Sequence, residues 1–446
     1  MLHFVVRHAT SRASGVGANL KVLHVIQRYW PYTGGSERHF QEISERLVRR
    51  GHQVTVVTTD AMDLELFWNP GKDRIAVTRE NHNGVEIIRV PVRHLPGGAL
   101  AFGGVRRSMA ALADLPLDTS PVLNGLARFV PWIPDLGSVF AEVEDASIVN
   151  GMNICFESLL IPAQAVARRR NIPFIATPLT HLGESSHSIV RRFYTMPHQI
   201  RLLARSDAIL AQTRIEVEYL VSRGISRERL TLAGVGVNPS EVLGGDGTSF
   251  RRSNDLHCPF VLYLGTAAFD KGTVHLVEAM ARLWGEVGGD TFSADLVLAG
   301  PLLDSFRQFL DSVPAAVRQR IHVLGLVTEP VKRDLLAAAA IVAMPSRTDS
   351  FGIVFLEGWL YDKPVIGARA GGIPDVIADE VDGFLVEFGD VSDLARRIRQ
   401  LIDDPALASR FGAAGHAKVL SRYTWDQVYP VVEEVYERLW RQKTHR

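Results

Sequence analysis

Length, composition and charge indicate a globular protein with two domains. The chain has 446 residues, of which 46% are hydrophobic and 22% charged, so it is too long for one ordinary domain and has enough apolar residues for two cores. Its 49 Lys and Arg side chains balance its 49 Asp and Glu side chains, which excludes the strongly basic surface of a nucleic-acid-binding protein. Its two cysteines, Cys155 and Cys258, lack metal-ligand spacing and cannot form a disulfide framework, which indicates a reducing compartment such as the cytoplasm.

The chain opens with a β-α-β pattern after a short extension. Residues 1–19 contain no acid and no adequate apolar segment for a secretory signal, so we expect a poorly ordered terminus. Apolar runs at 21–26 and 54–58 predict buried strands. Between them, the spacing of apolar residues predicts a helix over 36–50, with Ser36 as its N-cap.

Candidate site residues follow two of the predicted strands in this first half. Gly34 and Gly35 suit either the close approach of a substrate to the backbone or a tight turn with positive φ, and their spacing alone leaves both open. His181 and Glu184 follow a predicted strand at 174–176, and α/β proteins build their sites at the carboxyl ends of such strands. A lone histidine there is usually structural, so two interpretations of His181 stay open.

The rest of the first half alternates around one irregular segment. Further strands and helices are predicted at 146–149, 158–170, 190–205 and 208–211. Residues 94–142 are rich in Gly, Pro and bulky apolar side chains, and they form either ordinary packed helices or a surface that contacts an acceptor or a membrane. Residues 239–257 are rich in Gly, Ser and Asp and predict a linker or mobile loop, so we expect domains over 1–238 and 239–424.

The second half repeats the alternation of strands and helices. Strands are predicted at 260–265, 295–299, 322–324 and 341–344. Lys271 precedes a predicted helix, and Gly325 ends a predicted strand. At such a strand end a nucleoside can lie against exposed backbone.

The stretch over residues 341–374 organises the second half, because it reads as strand, loop, helix, strand, loop and helix. Asp349 lies in the first loop and Glu357 in the helix that follows it. If both were helical, eight residues would separate their backbones by about 12 Å. Two carboxylates that act on one glycosidic bond are about 5 to 9.5 Å apart. The spacing therefore favours two acids that hold opposite ends of a long ligand.

An anion site is predicted between these two acids. The helix starts within 351–354, where free N–H groups and the helix dipole attract an anion. Gly352 lets a ligand approach the backbone closely. An anion flanked by hydroxyl-binding carboxylates describes a nucleotide diphosphate sugar. The alternative that spacing alone leaves open is a surface helix with two solvated acids.

At this point the sequence resembles a known family. The segment SRTDSFGIVFLEGWLYDKPVIGARAGGIPDVI is similar to the donor-site signature of the retaining family 4 glycosyltransferases, in which seven residues separate two acids. The first acid is usually Glu in that family and is Asp349 here. The following DGFLVEFGDVSDLARRIRQLIDDP is also similar, and a weaker resemblance begins at Lys21. The resemblance implies the GT-B fold, an α/β architecture of two Rossmann-like domains that face each other across a cleft, with a C-terminal helix over 425–446 that crosses back to the first domain.

The resemblance also implies an activity and a set of site residues. A sugar would pass from a nucleotide diphosphate sugar, held by the second domain, to a hydroxyl acceptor in the first, with no metal or other cofactor. Asp349 would hold the sugar hydroxyls, Glu357 the ribose hydroxyls, and Lys271 the diphosphate, with His181 near the anomeric carbon. The implied catalytic residues are His181, Lys271 and Asp349. The implied donor-binding residues are Gly34, Gly35, Lys271, Gly325, Asp349, Ser350, Phe351, Gly352, Ile353, Val354 and Glu357.

One departure from the family pattern keeps other functions open. Thr266 stands where the family usually has an Arg on the diphosphate, and losing that contact removes about 1.5 to 3 kcal/mol. Arg347 is a candidate substitute. The alternatives are a glycosyl phosphorylase, a nucleotide-sugar epimerase, or a catalytically silent nucleotide-binding scaffold. We expect a cytoplasmic protein, and peripheral contact with the inner face of a membrane stays open. The sequence does not specify the sugar, the base or the acceptor.

Overall fold

The computed structural model describes residues 19–32, 34–285 and 292–444. The predicted terminal extension therefore lies outside the described residues, except for Asn19. Two sheets with helices packed on them form two halves of the molecule. Most strands are short apolar runs such as KVLHV, FVLYL and IVAM. Continuous apolar runs are typical of parallel strands that are covered on both faces, because neither face meets water.

The first half is built on one sheet of eight strands within the described residues, in the order β3-β4-β2-β1-β5-β6-β7-β8. All neighbouring pairs are parallel except β3 with β4. Its strands are β1 (Lys21–Val25), β2 (Gln53–Thr59), β3 (Arg79–His82), β4 (Val85–Val90), β5 (Ile148–Met152), β6 (Phe174–Thr177), β7 (Ala208–Ala211) and β8 (Leu230–Leu232). Its helices are α1 (Gly35–Arg49), α2 (Gly98–Ala113), α3 (Ser120–Ala127), α4 (Leu136–Glu142), α5 (Glu157–Arg169), α6 (Ile189–Tyr194), α7 (Pro197–Ala204) and α8 (Arg214–Ser222).

The second half is built on a fully parallel sheet, with six strands in the described part of the chain, in the order β11-β10-β9-β12-β13-β14. The strands are β9 (Phe260–Leu264), β10 (Asp295–Ala299), β11 (Ile321–Gly325), β12 (Ile341–Met344), β13 (Val365–Ala368) and β14 (Gly383–Val386). The helices are α9 (Pro239–Val242), α10 (Gly247–Ser253), α11 (Thr273–Gly285), α12 (Asp304–Ser312), α13 (Ala315–Arg318), α14 (Glu329–Ala338), α15 (Ile353–Leu360), α16 (Ile373–Val376), α17 (Val391–Asp403), α18 (Pro405–Arg422) and α19 (Trp425–Thr444). Short 3₁₀ turns occur at Leu64–Phe67, Arg227–Arg229 and Phe269–Lys271.

The last helix, α19, crosses back to the first sheet, as predicted. Its apolar side chains belong to the same buried cluster as residues of β1, β2 and α1. The hydroxyl of Tyr436 lies 2.8 Å from Nε2 of His24 and accepts a hydrogen bond of 2.6 Å from Nδ2 of Asn150. All three side chains are fully buried, so the helix is anchored by polar contacts as well as by apolar packing.

The structure corrects three local predictions. Residues 190–205 form two helices, α6 and α7, because Pro197 cannot continue the preceding helix. The N-cap of α1 is Gly34 and not Ser36. Residues 239–257 contain α9 and α10 and are not simply a loop. Gly245 and Gly247 lie against α14, since an added Cβ would meet Arg333 O at 2.2 Å and Ala338 N at 2.6 Å. These glycines permit the close packing of two backbones. The Gly-rich composition alone had suggested a flexible segment.

Candidate active site

The candidate site lies where loops of the two halves meet. The loop after β6 contacts the loop after β13, where the amide of Gly371 donates to the carbonyl of Gly183 at 2.8 Å. The loop after β7 contacts the loop after β12, where Oγ of Ser350 donates to Oε1 of Gln212 at 2.8 Å. These loops follow the carboxyl ends of parallel strands, where α/β proteins place ligands. The predicted cleft is therefore formed by the strand ends of both sheets.

Asp349 and Lys271 form an ion pair in this cleft. Nζ of Lys271 lies 3.0 Å from Oδ1 of Asp349. Burial disfavours the charged carboxylate, but the charge of the Lys271 ammonium opposes burial and helps to hold the pKa of Asp349 below its ordinary value. The other oxygen, Oδ2, is buried and has no hydrogen-bond partner among the described residues. A buried acceptor without a partner is costly, so this oxygen is suited to a donor that a ligand supplies.

His181 lies beside this pair. Its ring stacks on Tyr194 with the centroids 4.3 Å apart and the planes 7° apart. Burial, reinforced by the positive charge of Lys271, lowers the pKa of His181 to about 3, although Asp349 acts in the opposite direction. The ring is therefore neutral near pH 7. Because Lys271 and Asp349 both influence its pKa, the structure brings the three predicted catalytic side chains together.

The predicted anion site coincides with the start of α15, which begins at Ile353 with Gly352 as its N-cap. Gly352 has φ of +88°, and a Cβ there would lie 2.5 Å from the ring of Phe355. Phe351 and Val354 are buried. The positive φ and the close packing both require glycine, and the first amides of the helix have no intrahelical acceptor.

Gly34 and Gly35 lie on the opposite wall of the cleft, at the start of α1. A Cβ added at Gly35 would lie 3.6 Å from Cδ1 of Ile353, so the two helix starts face each other. Gly34 has φ of −69°, so the tight turn with positive φ, one of the two interpretations of the sequence, is wrong. A Cβ at Gly34 would instead meet Oε2 of Glu37 at 2.5 Å, and the buried Glu37 carboxylate is held by Arg28 at 3.2 Å.

Glu357 lies in the second half with a lysine of its own, and Gly325 lies at the end of β11. Oε1 of Glu357 lies 2.9 Å from Nζ of Lys332, and the same ammonium lies 2.9 Å from Oε2 of Glu329. Gly325 ends β11 with φ of +66°, and its carbonyl accepts a hydrogen bond from the amide of Gly300. The two acids of the signature thus have different lysine partners, as expected if they hold different parts of one ligand.

Arg347 does not offer a free positive charge in place of the missing family arginine. Its guanidinium donates to Oδ1 of Asp270 at 2.6 and 2.9 Å and to Oε1 of Glu184 at 3.2 Å. It also lies over the ring of Phe388. Two carboxylates therefore already neutralise it, and its contact with Glu184 joins the two halves. The Thr266 carbonyl accepts a hydrogen bond from Tyr263.

Sequence reasoning missed the role of Glu216 in shaping the cleft. The buried Glu216 carboxylate accepts the amide of Thr180 at 2.7 Å and the amide of Gln212 at 2.8 Å. It therefore fixes the backbone next to His181 and the residue that contacts Ser350. The spacing of Thr213 and Glu216 is that of a capping box and predicts a helix start, but the contact with Thr180 comes from the tertiary fold. Over the described ranges, no group of three or more His, Cys, Asp and Glu side chains could hold a metal ion.

Two α/β sheets of mainly parallel strands that meet at a cleft, with a last helix that returns to the first sheet, are the features of the GT-B class of glycosyltransferases. Known families match both halves of the chain. Residues 34–236 match the family described as Glycosyl transferase 4-like domain, and residues 258–404 match Glycosyl transferases group 1. Each family model matches one half of the chain, and the resemblance to glycosyltransferases of group 1 that the sequence indicated is confirmed.

Curated relatives are glycosyltransferases too. The chain is 26% identical to D-inositol 3-phosphate glycosyltransferase of Xylanimonas cellulosilytica, across 93% of this chain and 94% of that protein. It is 29% identical to alpha-maltose-1-phosphate synthase of Mycobacterium tuberculosis, across 50% of this chain and 55% of that protein. The protein is therefore an enzyme of the glycosyltransferase class, which confirms the predicted activity at that level.

Solved structures share the fold over nearly the whole chain. Sucrose-phosphate synthase from Thermosynechococcus elongatus superposes with a TM-score of 0.72 at 18% identity, covering 95% of this chain and 100% of that one. Anabaena HepE in complex with UDP-glucose gives a TM-score of 0.70 at 16% identity, covering 94% and 100%. This likeness confirms the GT-B fold. None of the helices described here is long and apolar enough to cross a membrane.

Proposed function

We propose that this glycosyltransferase moves a sugar from a nucleotide diphosphate sugar to a hydroxyl acceptor, with retention of configuration at the anomeric carbon and without a metal ion. The observation that carries the proposal is the buried Oδ2 of Asp349, which has no protein partner in the described chain while Lys271 holds Oδ1. A sugar hydroxyl is the donor that this oxygen lacks. HepE, a protein of similar fold, has been solved in complex with UDP-glucose, and UDP-glucose is a donor of this class.

The start of α15 and Lys271 would hold the diphosphate. Lys271 supplies a positive charge beside Asp349, and the amides after Gly352 supply hydrogen-bond donors that need no reorganisation. Such preorganised donors act most strongly on the charge that develops on the leaving group as the sugar departs. The acceptor oxygen forms its bond to the anomeric carbon on the face that the diphosphate leaves, and a diphosphate oxygen takes the acceptor's proton.

Neutral His181 and Glu357 would complete the site. His181 would lie near the anomeric carbon, where a neutral ring can donate or accept one hydrogen bond without adding charge. Glu357 would accept the ribose hydroxyls at the other end of the donor, where Lys332 already holds its Oε1. Gly35 would lie beside the diphosphate, because the start of α1 faces the start of α15 there.

The proposal is tested by measuring the release of nucleoside diphosphate from a panel of donors. Asp349→Asn and Lys271→Met should each lower kcat by at least about 100-fold, because groups that contact the transition state carry effects of this size. Lys21→Met is the matched control. It removes an ion pair with Asp145 at the amino end of β1, away from the cleft, and should leave turnover unchanged. Unchanged turnover in both site variants would refute the site.

The same assay separates the alternative functions. Consumption of donor without any acceptor indicates an epimerase, and formation of a sugar phosphate that depends on inorganic phosphate indicates a phosphorylase. Tight nucleotide binding without turnover across many acceptors indicates a silent scaffold. A glycosylated acceptor with retained anomeric configuration, seen by NMR of the product, supports the proposal, and a product with inverted configuration refutes it.

We also propose that the protein acts in the cytoplasm and that the insert over 94–142 contacts a membrane surface. The membrane contact is favoured by the exposure of three leucines on α2 and the following connector, since Leu100, Leu115 and Leu117 are 82%, 47% and 72% exposed. Interfacial helices insert exposed apolar side chains of this kind into the boundary between headgroups and acyl chains. Leu100→Ser with Leu117→Ser should reduce co-sedimentation with anionic vesicles. The control is Leu420→Ser, on the outside of α18. Equal binding by both variants would contradict the proposal.

A further inference from the structure

The Lys332 side chain connects two acids beside the proposed nucleoside end of the donor site. Its ammonium lies 2.9 Å from Oε1 of Glu357 and 2.9 Å from Oε2 of Glu329. Lys332 is on α14, which follows β11 and Gly325, whereas Glu357 is on α15. The contact therefore fixes the Glu357 side chain on α15 from the neighbouring helix α14. The lysine is 20% exposed and Glu357 is 12% exposed, so water does not screen the pair strongly.

The pair leaves part of the Glu357 carboxylate available. An ionised carboxylate has two oxygens with about four acceptor sites, and an ammonium on one oxygen occupies one of them. The free sites are enough for the two hydroxyls of a ribose. A glutamate without such a partner would sample several rotamers, and a ligand would have to immobilise it on binding.

Electrostatics keep the lysine charged for this task. Burial disfavours the ammonium, but the neighbouring Glu357 and Glu329 outweigh burial and raise the pKa of Lys332 above its ordinary value. The ammonium is therefore charged near pH 7.

We propose that Lys332 is a positioning residue that holds the Glu357 carboxylate in the orientation in which it accepts both ribose hydroxyls of the donor. The inference rests on the proposed function, because it needs Glu357 to bind the ribose. The inference goes beyond the proposed function because it assigns recognition of the two ribose hydroxyls to Glu357 together with Lys332, which lie on two different helices. Lys332 acts through Glu357 and not by contact with the reacting atoms.

The test compares two ligands that differ only in the ribose. The nucleoside diphosphate released in the turnover assay and its 2′,3′-dideoxy analogue are titrated calorimetrically into the full chain. The wild-type protein should bind the ribose form about 10- to 100-fold more tightly, since two hydrogen bonds to a charged acceptor distinguish the ligands. In Lys332→Met this ratio should fall below about threefold, and Lys332→Arg should restore most of it.

The ratio distinguishes positioning from a structural role. A variant that only loosens the fold weakens both ligands alike and leaves their ratio unchanged. Lys332→Gln provides a second uncharged replacement, whose polar side chain can still be hydrated at this partly exposed position. In turnover, Lys332→Met should raise KM for the donor by about 10-fold and change kcat little, whereas Asp349→Asn acts mainly on kcat.

Lys418→Met is the matched control, because Lys418 forms a comparably shielded ion pair with Asp382 in the same half, on α18. It should keep the wild-type ratio even if it lowers stability. A wild-type ratio in both Lys332→Met and Lys332→Gln would overturn the positioning role while leaving the proposed function intact. A wild-type protein that binds no nucleoside diphosphate would overturn both.

Discussion

At the scale of single residues, the ion pair of Asp349 and Lys271 both stabilises the fold and prepares the site. The pKa of Asp349 lies below its ordinary value despite burial, so its charged form contributes stability above about pH 4, the pKa of the unfolded chain, and this contribution is lost as the pH falls through the folded pKa. Removing either partner leaves the other charge partly buried without compensation.

A double-mutant cycle should measure this coupling. Lys271→Met and Asp349→Asn should each lower the free energy of unfolding by about 1 to 3 kcal/mol at pH 7 without ligand. The double variant should lose about 1 kcal/mol less than the sum, because the second change removes a charge that is already unpaired. Urea unfolding of the four proteins checks this. Strictly additive losses would show that the two charges do not interact.

The residue types of the site could be predicted from sequence, but most of their partners could not. Asp349 and Glu357 were recognisable because both lie within one short segment, where local spacing defines the loop and the helix start. The contact of Arg347 with Glu184 joins residues 163 positions apart, and that of Lys332 with Glu357 depends on the packing of two helices. Charge and spacing along the chain carry no information on such pairings.

At the scale of elements, the start of α15 depends on the backbone of Gly352. Two separate effects act there, the positive φ of +88° and the Cβ contact of 2.5 Å with Phe355. An alanine at this position would have to move either the ring or the helix start. The amides that follow would then no longer point to the place where the diphosphate is proposed to lie.

Gly352→Ala should therefore weaken the binding of nucleoside diphosphate by at least about 10-fold, the loss of one charge-assisted hydrogen bond. Gly51→Ala is the matched control, since Gly51 has nearly the same φ, +91°, with nothing within 4 Å of an added Cβ. Both variants have the backbone strain of a positive φ, about 1 kcal/mol. Only Gly352→Ala also has the steric clash with Phe355. Calorimetric titration of both compares them, and equal affinities would mean that α15 does not bind the phosphates.

At the scale of the whole molecule, buried neutral histidines connect the first sheet to the terminal helix. His24 lies between Ser44 and Tyr436, and burial lowers its pKa to about 3. His39 stacks on Trp425 with centroids 5.3 Å apart, and burial lowers its pKa to about 4. The periodicity of α19 predicted only an amphipathic helix, and its docking on these rings could not be predicted, because partners more than 380 residues away in sequence are set by the fold.

Acid should therefore destabilise the docking of α19. Between pH 6.5 and 4.5 the unfolded chain binds a proton on each of these histidines and the folded chain does not, so stability falls as the pH falls through this window. Each histidine should lower the free energy of unfolding by about 2 to 3 kcal/mol between pH 6.5 and pH 4.5. His24→Gln cannot bind the proton, so its free energy of unfolding should fall by about 2 kcal/mol less than that of the wild type when urea unfolding at pH 6.5 is compared with pH 4.5. Parallel losses in the two proteins would mean that His24 takes up its proton over the same pH range in the folded and the unfolded chain. In that case the bond from its ring to Tyr436 would not hold the helix through a neutral imidazole.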